Sequence, residues 1–121
     1  SVPSKEALKQ FAYELSDRFG TLPKEAVNLL KSVELKWLAG EIGFEKIVMK
    51  NGVFLAYFPS NPQDKFYEGD KFKKVLSYLQ KYPKDAQLKE KISKDGQQLM
   101  MRKEHIQCID EVINIMEKIL E

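Results

Sequence analysis

The chain carries one imidazole, His105, and one thiol, Cys108, three positions apart. A nucleophilic cysteine needs a base within reach, and this spacing would set both groups on one side of a helix beginning near residue 105. The plainer reading carries more weight: Cys108 as a small helix residue and His105 as a partly exposed first-turn residue, because free cysteines are commonly buried and structural. One Cys with one His cannot fill a tetrahedral zinc site, so no metal is expected. Asp110 and Glu111 are adjacent and diverge on a helix, which gives no paired-acid centre. Asn51-Gly52 and Asp95-Gly96 read as turns, and no glycine-rich loop ends in Lys-Ser or Lys-Thr to cradle a phosphate. No catalytic residue, metal or cofactor is assigned to the chain, and an enzyme is not expected.

Two patterns suggest binding instead. Glu14 and Asp17 stand three apart and are neighbours on the surface of a first helix. They point away from the apolar stripe of that helix, beside Glu6 and Gln10, and two such acids suit a basic partner, above all arginine. A solvated charged face is the competing reading and, on composition alone, the commoner one. Around residues 66–84, Lys71, Lys73, Lys74, Lys81 and Lys84 interleave with Phe66, Tyr67, Phe72, Tyr78 and Tyr82. Lysines beside aromatic rings suit phosphates and stacked bases, so an accessory nucleic-acid-binding domain is the alternative function. Phe72 belongs to the core stripe of its helix, Glu68, Asp70 and Asp85 dilute the patch, and a solvated helix face is the stronger reading of it.

The elements that position these residues follow from periodicity and turn chemistry. Ser4 is placed to cap a first helix with Leu8, Phe11, Ala12, Leu15 and Phe19 as its stripe, ended by Gly20. Pro23 falls in the first turn of a second helix whose broad apolar face runs to Ile42 and stops at Gly43. Residues 45–50 and 53–58 form a hairpin about Asn51-Gly52, pairing Met49 with Phe54 and Ile47 with Ala56 on one face. Val48 and Leu55 share the other face, so neither face is expected to be freely solvated. Asp70 is placed to cap a third helix ending before Pro83. Residues 86–93 and 97–103 flank Asp95-Gly96 as a second hairpin, with Ile92 facing Leu99 and Lys89, Lys91 and Arg102 outward. A final helix runs from about His105 toward Glu121. Its apolar spacing covers only about two heptads, so it packs on its own sheet rather than in a coiled coil. The fold class is α+β: helix, helix, hairpin, helix, hairpin, helix, with the helices on one small, mostly antiparallel sheet.

Size and charge bound the rest. The 121 residues fit one domain, and 43% hydrophobic with 31% charged residues supports a folded core. Lys and Arg number 20 against 18 Asp and Glu, so the net charge of +2 gives no electrostatic case for nucleic acid or anionic membrane as main partner. No apolar run approaches the roughly 18–20 residues of a membrane span. A single cysteine excludes an internal disulfide and suits a reducing, cytoplasmic location. The opening Ser1-Val2-Pro3 is no natural start, so residues 1–4 read as a linker remnant and 5–121 as one domain of a longer protein.

Glu14-Leu15-Ser16-Asp17-Arg18-Phe19-Gly20, then Leu22-Pro23 and Asn28-Leu29-Leu30, resembles the ELxDRFGxLP…NLL signature opening the C-terminal domain of bacterial transcription-repair coupling factors, the Mfd family. The likeness continues through Leu35-Lys36, Ala39 and Ile42-Gly43-Phe44-Glu45-Lys46-Ile47, with Phe44 where the family usually has isoleucine. Beyond residue 47 it rests on element order, apolar pattern and domain length. The resemblance implies a parent that is an ATP-dependent DNA translocase, with its motor outside this chain. That parent removes stalled RNA polymerase and recruits UvrA for nucleotide excision repair. It further implies that this regulatory domain is non-catalytic and docks on the parent's UvrB-like N-terminal domain as an autoinhibitory clamp over the UvrA-binding surface. On that footing Glu14 and Asp17 become interface residues, and Arg18 joins them or pairs with Glu14 four residues away. Phe19, Gly20 and Pro23 fix the helix–turn–helix that presents them. UvrA, RNA polymerase and DNA are then indirect partners, no membrane is involved, and the isolated domain is expected to be monomeric.

Overall fold

Gly20 and Gly43 punctuate the first half of the chain. The computed structural model describes residues 5–121, so the Ser4 cap and the linker remnant of residues 1–4 lie outside the described residues. Helix α1 (Lys5–Phe19) ends where the Gly20 N–H donates to the Ser16 carbonyl at 2.8 Å, with φ 83 at the glycine. Helix α2 (Lys24–Ile42) starts directly after Pro23 and closes at Gly43, whose φ of 116 lets its own N–H and that of Phe44 both reach the Ala39 carbonyl. A Cβ at Gly43 would also lie 2.6 Å from the Phe66 ring, so space as well as backbone angle demands glycine there.

Strands β1 (Lys46–Lys50) and β2 (Val53–Tyr57) form the expected hairpin, with φ 53 at Asn51 and φ 75 at Gly52. Their register pairs Met49 with Phe54, Val48 with Leu55 and Ile47 with Ala56, as the turn requires. A short 3-10 turn (Lys65–Glu68) follows, started by the Asp64 carboxylate accepting from the Phe66 N–H at 2.9 Å. Helix α3 (Asp70–Lys81) has Gly69 at its cap position, so Asp70 is the first helical residue and not the cap. Its charge still suits the positive end of the helix.

Strands β3 (Gln87–Ser93) and β4 (Gly96–Lys103) depart from the expected register. Lys94 and Asp95 make the turn, and Gly96, with φ 117, already pairs with Ser93. Ile92 therefore stands opposite Gln97, and Leu99 opposite Glu90. A slip of two residues keeps every side chain on its face, so Lys89, Lys91 and Arg102 share the face opposite to Ile92 and Leu99 as expected. Helix α4 (Ile109–Leu120) begins later than its periodicity suggested. His105 takes φ 59, and the Ile106 N–H is held by the Gly52 carbonyl at 2.8 Å, so this stretch docks on the first hairpin instead of coiling.

The sheet order is β1-β2-β4-β3 with every neighbouring pair antiparallel. Helices α2, α3 and α4 cover one face. Leu38, Ile42, Val75, Val112 and Met116 meet Phe54, Ala56 and Met101 in one core, joined by Phe44 and Phe58 from the loops. Each such large side chain contributes about 1.5–3 kcal/mol through removal from water. The architecture is the expected α+β, and α1 is attached to it chiefly through α2.

Candidate protein-interaction surface

Helix α1 buries Leu8 but little else of its stripe. Phe11 is 51% and Phe19 72% exposed, and Tyr13 and Leu29 are 68% and 67% exposed. Of these, Phe11 and Phe19 lie at one site, and large apolar side chains together in the open are informative where isolated ones are not. Phe19, expected as a stripe residue, is thus not core: α1 packs on α2, and its last turn runs past the body that could cover it. Phe11, Glu14, Leu15, Asp17, Arg18 and Phe19 instead border one surface recess. The acids do not stand apart from the apolar residues; they share one surface with them.

Glu14, Asp17 and Arg18 are all exposed. Glu14 accepts from the Gln10 amide at 3.2 Å, a neighbour one turn earlier on the helix. Asp17 and Arg18 are left toward solvent. Gly20 adopts the left-handed geometry that ends the helix, and Pro23 seeds α2, so the turn that presents the recess is built by the motif residues themselves.

The lysine–aromatic stretch is taken apart by the fold. Phe66, Tyr67 and Phe72 pack tilted or edge-on against one another, and Phe66 and Phe72 against Phe58, with ring centroids 5.1–5.8 Å apart, and Tyr67 donates its hydroxyl to the Pro59 carbonyl. Tyr78 is buried and donates to Asp85 at 2.6 Å; burial first, then that carboxylate, holds its hydroxyl protonated well above the usual tyrosine range. Lys71 donates to the Glu41 carbonyl, and Lys74 to that of Leu120 at 3.4 Å. Both carbonyls lie at helix ends, where cations satisfy orphaned acceptors. Most rings of this stretch are therefore packed and two of its lysines have structural partners; Tyr82, beneath Lys81 at 5.4 Å, stays partly open.

His105 lies outside any helix, and Cys108 is exposed at the start of α4. The expectation of both on one helical turn, with Cys108 inside a helix, is overturned by the left-handed kink at His105. Glu111 reaches back to the N–H groups of Cys108 and Gln107 at 2.9 and 2.6 Å, and these bonds hold its carboxyl below the usual range. Among the described residues no group of three His, Cys, Asp or Glu is placed to hold a metal ion, and no helix is long and apolar enough to cross a membrane.

Residue typing alone misses the exposure of Phe11, Tyr13 and Leu29. A signal was present in Tyr13, which falls off the apolar stripe of α1.

Comparison with known proteins agrees with this fold. A transcription-repair-coupling factor from Rickettsia bellii (strain RML369-C) is 30% identical over 82 residues, covering 68% of this chain and 7% of that protein. The chain thus spans a small fraction of that relative's length. A crystal structure of the C-terminal domain of a transcription-repair coupling factor superposes over 96% of this chain and 70% of its own, with a TM-score of 0.63 at 16% identity, which establishes a shared fold. Residues 1–68, spanning α1, the Gly20 turn, α2, the first hairpin and the 3-10 turn, match the family model of the TRCF domain, and the chain belongs to that family.

Proposed function

We propose that the chain is a non-catalytic regulatory domain of a transcription-repair coupling factor, acting as a clamp on the parent's UvrB-like domain and masking its UvrA-binding surface. The observation that carries this reading is the α1 recess: exposed Phe11 and Phe19 beside exposed Glu14, Asp17 and Arg18. Aromatic anchors ringed by charge are the usual make-up of a protein-binding hot spot. The acids suit basic residues on a UvrB-like surface, and they lie within the sequence motif that resembles the family signature. The parent's ATP-driven translocation, its removal of stalled RNA polymerase and its cytoplasmic setting belong to the same proposal, with the motor outside this chain.

Docking within one polypeptide benefits from a high effective concentration, so a weak contact suffices to keep the site closed. A nucleotide-, DNA- or polymerase-bound state of the parent that separates the domains would open it. The test is titration of this domain against the isolated UvrB-like domain, wild type against Glu14→Ala/Asp17→Ala. The expected result is weakening of about tenfold or more in the double variant. In the parent, the same pair of substitutions should raise UvrA binding with ATPase activity retained. Equal binding by wild type and variant would remove the acids from the interface, and absence of binding at millimolar concentration would overturn the clamp.

A further inference from the structure

The sheet has two faces, and the core takes only one of them. Ile47, Phe54, Ala56, Leu99 and Met101 belong to the packed cluster, while Val48, Leu55, Tyr57 and Met100 lie outside it. Strand pairing puts these four together on the opposite face, since Val48 faces Leu55 and Tyr57 faces Met100 across neighbouring strands. They form an apolar centre crossing three strands, half-buried at Val48, Leu55 and Tyr57, with Met100 buried beneath them.

Cations surround that centre. Alternation along the strands sets Lys46, Lys50, Lys89, Lys91 and Arg102 on the same face, on both edge strands and between them. Lys46 and Lys91 lean over the Tyr57 ring at 5.7 and 5.8 Å, their stems shielding the apolar centre. Nearby carboxylates are few and engaged: Glu104 binds Arg102 at 2.7 Å, and Glu45 at the margin accepts from Gln98 and Ser60. The Arg102 Nε is buried without a hydrogen-bond partner. A domain with net charge +2 thus concentrates five positive side chains on one sheet face.

We infer that this face receives an amphipathic helix of a partner protein, apolar along its centre and acidic along its flanks. A half-apolar sheet face is completed by a helix layer, as α2, α3 and α4 complete the other side. The cation perimeter sets the sign of the flanks. A nucleic-acid backbone is the poorer match, because it offers nothing to Val48, Leu55 and Met100, and the Tyr57 ring is covered by lysines instead of open for stacking. This inference is independent of the α1 recess, which lies on a different element.

The experiment uses the 121-residue chain, isotopically labelled for NMR, titrated with a designed helix of roughly 18 residues carrying a leucine stripe and glutamate flanks. The same helix with lysine flanks and an oligothymidylate are titrated in parallel. The expected result is saturable shifts at Val48, Leu55, Tyr57 and Met100 with the glutamate helix only. Binding should weaken about tenfold or more in Lys46→Glu/Lys89→Glu/Lys91→Glu, whose unperturbed spectrum elsewhere would certify its fold. Absence of shifts at millimolar helix, equal binding by both helices, or unchanged affinity in the triple variant would overturn the inference. Tighter binding of the oligothymidylate at the same residues would replace the helix with nucleic acid.

Discussion

Helix α1 and helix α4 carry apolar stripes of similar register, yet one ends exposed and the other buried. In α4, Val112, Ile113, Met116 and Ile119 all reach the core. In α1, Leu8 is buried while Phe11 and Phe19 stand open. The difference lies in the neighbours, not the stripe. Helix α4 lies between α2 and α3 against the sheet, whereas α1 packs chiefly on α2. An apolar stripe without a second wall stays open, and in this chain it borders the acids Glu14 and Asp17.

That contrast is tested most severely by removing a ring from each region. Phe58 is fully buried, with Phe44, Phe66 and Phe72 around it at centroid distances of 4.9, 5.8 and 5.5 Å. Phe58→Ala should cost about 3–5 kcal/mol in urea unfolding. Phe19→Ala should fall within about 0.5 kcal/mol of wild type, as exposed positions do. Comparable losses at the two sites would mean that α1 is part of the core and is no free surface.

The two helix-ending glycines give a smaller and sharper version. Gly20 and Gly43 both hold positive φ, but a Cβ on Gly20 would meet nothing within 4 Å. Gly20→Ala should therefore carry backbone strain alone, about 1–2 kcal/mol. Gly43→Ala adds a collision with Phe66, whose ring is pinned by Phe58, Tyr67 and Phe72, and should cost about 2–4 kcal/mol in the same assay. Equal costs would show that Phe66 yields, and that the junction of α2 with the 3-10 turn is looser than its packing suggests.

What was legible in the residues divides along the same line. The two helices before Gly43 and the Asn51-Gly52 hairpin, register included, follow from local signals, because positive φ and residue period are fixed within a few positions. The second hairpin slipped by two because Gly96, with φ 117, also fits just after a turn centred on Lys94 and Asp95, where the Ser93 hydroxyl accepts from the Asp95 N–H. The late start of α4 was hidden because the Ile106 bond to Gly52 joins positions 54 residues apart. Phe66 and Tyr67 stayed open between loop anchors and binding rings for a related reason: nothing local distinguishes an exposed ring from one packed on Phe58 or Phe72. Glu14, Asp17 and Arg18 were legible as exposed charges. Their company of open aromatic side chains was not, since it depends on which walls α1 lacks.

The smallest expected effect concerns the start of α4, the buried counterpart of α1. Glu111 carries its carboxylate back to the N–H of Cys108 and of Gln107, and both bonds favour the ionised form, with Lys103 nearby adding to them. Its folded pKa therefore lies below the ordinary value of 4.5. For a carboxyl shifted downward, the stabilisation is present in full above the unfolded value and is lost as pH falls through the folded one. Glu111→Gln retains an acceptor but not the charge, so it should melt below wild type at about pH 7, and the gap should narrow as pH falls below 4.5 and through the lowered folded value. A gap that persists unchanged in acid would assign the contribution to hydrogen-bond geometry alone. A gap absent at neutral pH would mean that α4 is held by its buried stripe without help from its cap, which would widen its contrast with α1.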